Sequence, residues 1–209
     1  MAWKMPATKG GGGGEKAPVG NHIAVCVAIV DMGTQKSDYQ GQARWARRAY
    51  FAWELVNEPN SAYKSGRNHV IGIDLNVSLN EKAKLRKFIE ARVGKAIPEG
   101  VEYDISQELG KPCMLNVVDN GKGYPNVDNV SGIPKGFTVA KPFFEPFLFS
   151  LDDVENGNVP TFPDWLPWLY GEKLADVVAQ CRELCPPKTG AIAGGGEYDN
   201  HEETGDIPY

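Results

Sequence analysis

The spacing of apolar positions changes period several times along the chain, and each change marks an element. Residues 22–32 (HIAVCVAIVDM) alternate, with Ile23, Val25, Val27 and Ile29 in one phase and Ala24, Cys26 and Ala28 in the other. Strict alternation of β-branched residues predicts a strand. Residues 33–44 are polar and rich in turn formers and read as a connection. Residues 45–56 (WARRAYFAWELV) form a second predicted strand, the aromatic load favouring it over a short helix. Phe51, Trp53 and Leu55 share one face of it, and Arg48, Tyr50 and Glu54 the other. A loop over 57–66 leads to a third strand at 68–78, with Ile71, Ile73, Leu75 and Val77 in phase.

Beyond residue 78 the period becomes helical. Ser78-Leu79-Asn80-Glu81 has the form of a capping box, a stripe of Leu85, Phe88, Ile89 and Val93 follows, and Gly94 is a natural stop. A helix is expected over 79–93. Residues 112–119 (PCMLNVVD) predict a fourth strand, Asn120-Gly121-Lys122-Gly123 a turn, and 124–133 a weaker fifth strand. Three strands, a helix and a hairpin is the element order of the five-stranded oligonucleotide-binding (OB) fold, whose helix lies between strands three and four. The expected class is therefore mainly β, an OB barrel over 22–150. Residues 134–163, rich in Pro and Phe, are expected to wrap the barrel in extended form. A C-terminal helix is expected over 164–185, with Asp164 as N-cap and Pro186-Pro187 as its end, so that 151–185 forms a helical extension.

The two ends have a different composition. Residues 1–21 include five consecutive glycines at 10–14 and read as a flexible arm. No strand precedes those glycines and no Gly-Lys-Ser/Thr follows them, which excludes a phosphate-binding loop. Residues 186–209 read as a flexible linker with an acidic end, and about twenty residues of such chain span on the order of 25 Å. No apolar run approaches the ~20 residues of a membrane span, and the first residues lack the apolar core of a secretory signal. The chain is therefore expected to be cytoplasmic, with no membrane partner.

Charge separates the body from the tail. The net charge is −5, of which −4 falls from residue 186 onward, so residues 1–185 are nearly neutral. Within them, residues 35–92 carry eleven Lys and Arg against six acids, an excess that suits a polyanion. Its densest part interleaves Lys36, Arg44, Arg47, Arg48, Lys64 and Arg67 with Tyr39, Trp45, Tyr50, Trp53 and Tyr63. Cations that track phosphates, alternating with flat side chains for bases, are what single-stranded nucleic acid requires, each stacked base contributing roughly 1–3 kcal/mol. The candidate nucleic-acid contacts are Lys36, Tyr39, Arg44, Trp45, Arg47, Arg48, Tyr50, Tyr63, Lys64 and Arg67. Phe51 and Trp53, in phase with Leu55, read as core. The cationic side of the 79–93 helix reads as solvated surface.

Other chemistries find little support. Cys26 and Cys113 lie in apolar strand-like runs and read as reduced core residues. Cys181 and Cys185 could hold half a metal site, but no Cys-x-x-Cys occurs and His22, His69 and His201 are scattered, so neither a metal nor a cofactor is expected. No nucleophile-base pattern or paired carboxylates stand out, and the chain is not expected to be an enzyme.

The last residues, EYDNHEETGDIPY, carry five acids and end on Ile207-Pro208-Tyr209. An acidic peptide with an apolar, carboxylate-bearing end suits capture in a basic pocket with an apolar floor. The end G-D-I-P-Y resembles the acidic tip of bacterial single-stranded DNA-binding proteins, which closes on Asp-Asp-Ile-Pro-Phe. The resemblance is specific at Asp206, Ile207, Pro208 and Tyr209 and architectural elsewhere. Gly205 replaces an Asp and Tyr209 a Phe, and the helix at 164–185 and the glycine arm lie outside the usual pattern. The divergence is closer to a bacteriophage-encoded relative, whose place would be the host cytoplasm. The resemblance implies a protein that coats and protects single-stranded DNA in replication, recombination and repair, and recruits replication and recombination proteins through the tip. Whether it assembles into homo-oligomers stays open. The competing readings are a β-barrel adaptor that binds protein alone and a barrel that binds RNA.

Overall fold

The computed structural model describes residues 15–39, 42–61, 66–154, 161–167, 169 and 172–184. Among them lie β1 (Gly20–Tyr39), β2 (Gln42–Pro59), β3 (Asn68–Asn76), α1 (Lys84–Val93), β4 (Pro112–Asp119), β5 (Pro125–Ser131), β6 (Phe147–Phe149) and α2 (Leu174–Ala179), with 3-10 turns at Ile105–Glu108 and Leu151–Asp153. The fold is mainly β. The sheet follows the path β3-β2-β1-β4-β5 with antiparallel pairings, and β6 joins β1 in parallel. β3 and β5, the ends of the path, approach one another, and α1 packs against both. Among the described residues no hydrogen-bonded ladder joins those two ends.

Residues 33–39 and 42–44 correct the expectation of a connection. β1 and β2 run through them as paired strands, with register from Thr34↔Arg47 to Tyr39↔Gln42. Polar residues fill both faces of this stretch, so no hydrophobic period announces it. A second departure lies in β1 itself, whose register with β2 shifts between Cys26 and Ala28. A bulge adds one residue and reverses the faces beyond it. Ala24, Cys26 and Ile29 therefore share one core, although Ile29 is out of phase with the other two in the sequence.

That core lies on the α1 side of the sheet. It joins Ala24, Cys26 and Ile29 to Phe51, Trp53 and Leu55 of β2, to Leu85, Phe88 and Ile89 of α1, and to Leu115, Val117 and Val127 of β4 and β5. A second core forms on the opposite side, where Ala28, Val30, Met32, Tyr50 and Ala52 meet Phe149, Leu166, Leu174, Val177 and Val178. Two elements in these cores are shorter than expected. α1 begins at Lys84, with Ala83 as an N-cap that makes no side-chain bond. The Ser78 hydroxyl instead accepts from the Asn80 N–H, and Asn80 Oδ1 from the Lys82 N–H. Successive local turns thus replace the capping box. Among the described residues of the C-terminal extension only 174–179 are α-helical. A bridge between Leu169 and Glu172 interrupts the expected helix over 164–185.

Two buried carboxyl groups fix the connections. Glu54 is fully buried and accepts from Asn68 Nδ2 at 2.6 Å, from the Phe143 N–H at 2.8 Å and from the Phe144 N–H at 3.0 Å. It ties β2 to the start of β3 and to the segment leading into β6. Glu108 accepts from both Arg92 and Tyr103, which locks the 3-10 turn at Ile105–Glu108 to the end of α1.

Candidate nucleic-acid interface

The β1–β2 pair outruns its neighbours. β6 leaves β1 at Val30, and the β2–β3 pairing ends at Arg48↔Asn76, so residues 31–39 and 42–47 project as a two-stranded ribbon. Opposed residues of an antiparallel pair lie on one face. The register Thr34↔Arg47 and Lys36↔Trp45 therefore groups these four side chains, while Arg44, opposite Ser37, falls on the other face. Lys36 and Arg44 are exposed, and Trp45 retains 48 % of its surface. Arg47 is ion-paired with Asp31, a bond that holds the guanidinium above its ordinary pKa despite partial burial. Asp31 also accepts from the Gly33 N–H at 2.9 Å.

The remaining predicted contacts divide between protein-facing and displaced positions. Arg48 pairs with Asp74 across β2 and β3, both side chains largely buried. Tyr50 is 1 % exposed, and burial pushes its hydroxyl well above the ordinary pKa. Its ring packs over Gly72, where any Cβ would collide with it. Tyr50 thus faces the second core and offers no surface for a base in this conformation. Phe51 and Trp53 stack on each other in the first core with centroids 5.8 Å apart. Arg67 lies at the far end of β2, over Phe143 at 5.4 Å and Phe144 at 5.7 Å. Tyr39 closes β1, with its side chain outside the described residues. Tyr63, Lys64, Cys185, His201 and the tip Asp206, Ile207, Pro208 and Tyr209 also lie outside the described residues.

Two exposed aromatic side chains that lie beside a cation, Phe143 and Tyr124, were not singled out from the sequence as ligand contacts. Phe143 keeps 51 % of its surface beside Arg67. Tyr124, 59 % exposed beside the β4–β5 turn, lies 4.2 Å from Lys16 Nζ, which donates to the Gly123 carbonyl at 2.6 Å. Trp45 carries a cation from an unexpected quarter, the Arg182 guanidinium 5.9 Å from the ring centroid. Tyr124 could have been found from its place after a Lys-bearing glycine turn. Phe143 and Arg182 could not, because their partners are distant in sequence.

Two cavities among the described residues bear on the candidate interface. The cavity in the first core, lined by Cys26, Phe51, Phe88, Arg92 and Glu108 among others, measures about 20 Å³, room for one water. A broader depression of about 520 Å³ lies between residues 79–86 and 97–102, where Lys82 and Arg86 mix with Glu81, Glu99 and Glu102. Such mixed charge suits no polyanion. Among the described residues no group of three His, Cys, Asp or Glu could hold a metal ion. Cys26, Cys113 and Cys181 are buried and free, and burial pushes the Cys113 thiol up to about 12, so it stays protonated and unreactive at neutral pH. No helix of the described residues is long and apolar enough to cross a membrane.

Comparison with models of known protein families gives no match, and no curated protein is significantly similar to the chain.

Proposed function

We propose that this chain is a single-stranded DNA-binding protein, built on a five-stranded OB barrel, that binds DNA along the β1–β2 ribbon and recruits partners through Asp206 to Tyr209. The strand path β3-β2-β1-β4-β5, with α1 between β3 and β4 and the two path ends close together, supports the barrel. The observation that carries the function is the ribbon. It projects past the sheet with Lys36, Trp45 and Arg47 on one face and Arg44 on the other, three cations and an exposed indole in a narrow two-sided element. Phosphates can meet the cations while a base stacks on Trp45. Arg48 and Tyr50 drop out of the contact set and act as supports beneath it.

Equilibrium titration of the full chain with fluorescently labelled oligo(dT), oligo(U) and a DNA duplex checks this assignment. The expected order is oligo(dT) tightest and duplex weakest, with log K falling linearly in log salt concentration. Preference for oligo(U) would reassign the protein to RNA. Absence of binding to all three would leave the adaptor that binds protein alone as the better assignment.

A further inference from the structure

The residues that hold α2 against the ribbon have no evident need to include an exposed arginine. The extension is anchored by Leu174, Val177, Val178 and Cys181, all buried. Polar bonds then fix its end to β1. Gln35 Nε2 donates to the Val177 carbonyl at 3.0 Å, the Arg182 N–H donates to the Thr34 carbonyl at 3.0 Å, and both the Thr34 N–H and hydroxyl donate to the Glu183 carboxylate. Partial burial opposes ionisation of Glu183, but these Thr34 bonds outweigh it and hold its pKa below the ordinary value. Gly33 makes the fit possible. At φ 65° it sits where an added Cβ would lie 2.6 Å from Leu151 Cδ1, 2.7 Å from Glu183 Oε2 and 2.8 Å from Cys181 Cβ.

Everything in that arrangement sets the position of residue 182, whose backbone is bonded to β1 and whose side chain is exposed over Trp45. Glu183, the neighbouring acid, is engaged by Thr34. A guanidinium held on an indole is half of a nucleotide site, because it can meet a phosphate while the ring takes a base.

Resting on the assignment of single-stranded DNA binding above, we infer that the nucleic-acid interface is composite: the C-terminal extension supplies Arg182 to a stacking site on Trp45 of the ribbon. Residues 172–184 are then part of the binding surface as well as a cover for the second core. One phosphate contact belongs to Arg182, and the base beside that phosphate belongs to Trp45.

Oligo(dT) titration of the full chain at several salt concentrations, with Arg182→Ala, Trp45→Ala and the double variant, tests this. Both side chains are exposed, so each variant should keep the wild-type melting temperature. Arg182→Ala is expected to weaken binding about tenfold and to lower the salt slope by about 0.7, the loss of one phosphate contact on a single strand. The double variant should lose less than the product of the single losses, since the two groups act on one nucleotide. Wild-type binding with an unchanged Arg182→Ala slope would overturn the composite site and leave the DNA assignment standing. No wild-type binding would overturn both. Losses that multiply fully would also overturn it, placing Arg182 at an independent contact.

Discussion

Below the ribbon, over residues 24–32 and 49–56, β1 and β2 bury side chains on both faces, and the two faces are closed in opposite ways. On the α1 side the cover is made of strands and a helix that follow within the predicted barrel, with Leu115, Val117 and Val127 completing the layer. On the other side the cover comes from much later in the chain, through β6, Leu166 and the residues of α2. The difference teaches where a sheet's outer surface has gone. In an isolated barrel the outer faces of these strands would be free for a ligand. Here they hold Tyr50 and Glu54 inside, and the candidate ligand surface moves outward to the ribbon and to the C-terminal segment that reaches it.

The largest expected effect comes from breaking the polar tie that joins β2 to the start of β3 and to the segment leading into β6. Glu54→Ala would leave the buried Phe144 N–H and the part-buried Asn68 amide and Phe143 N–H without their acceptor. A loss on the order of 4 kcal/mol is expected in chemical denaturation. A loss below about 1 kcal/mol would mean that the 143–149 segment is not held by this carboxyl group.

A smaller pair of changes compares the two cores directly. Leu115→Ala, in the first core, is expected to cost about 3 kcal/mol, and Val178→Ala, in the second, about 1–2 kcal/mol. The distinction sharpens in native-state hydrogen exchange. Val178→Ala should speed exchange over 172–184 while β4 and β5 stay protected, because the extension opens as its own unit. Uniform acceleration across the sheet would show that the two cores open together.

The smallest effect is a pH dependence at the end of β2. Burial holds the His69 imidazole below its ordinary pKa of 6.5, with Glu15 and Glu58 acting against this and His22 with it. His69 Nδ1 meets Asn60 Nδ2 at 3.3 Å, and His22 Nδ1 meets the Glu58 carboxylate at 3.1 Å. Well above pH 6.5 neither folded nor unfolded chain protonates His69, and its full contribution to stability is present. As pH falls below 6.5 the unfolded chain takes the proton first, so stability declines. Denaturation midpoints measured downward from pH 7 should show a shallow loss that His69→Gln reduces. A steeper loss in the variant would place the responsible group elsewhere.

The β2 side of the first core was legible in the sequence because its alternation is strict: Phe51, Trp53 and Leu55 stand where their phase puts them. The element order from β1 to β5 was legible for the same reason. The ribbon was not, since Thr34, Gln35, Lys36 and Arg44 carry no apolar period and their pairing depends on a partner strand. The length of α2 was overread, because an apolar stripe over 174–184 continues into residues whose backbone is only turned. Of the candidate contacts, Lys36, Arg44, Trp45 and Arg47 lie on the ribbon, whereas Arg48 and Tyr50 are spent on Asp74 and on the second core. A strand with both faces apolar could have warned that Tyr50 needed a cover. No local feature could have shown that the cover brings Arg182 to Trp45.

The central claim is that the projecting ribbon binds single-stranded DNA. Its most direct test is the salt dependence of oligo(dT) affinity for the full chain and for the Lys36→Ala/Arg44→Ala/Trp45→Ala variant, both checked for equal melting temperature. The account predicts that the variant loses at least tenfold in affinity and about 1.4 in salt slope, two phosphate contacts at roughly 0.7 each. Equal affinity and equal slope in the two proteins would contradict it.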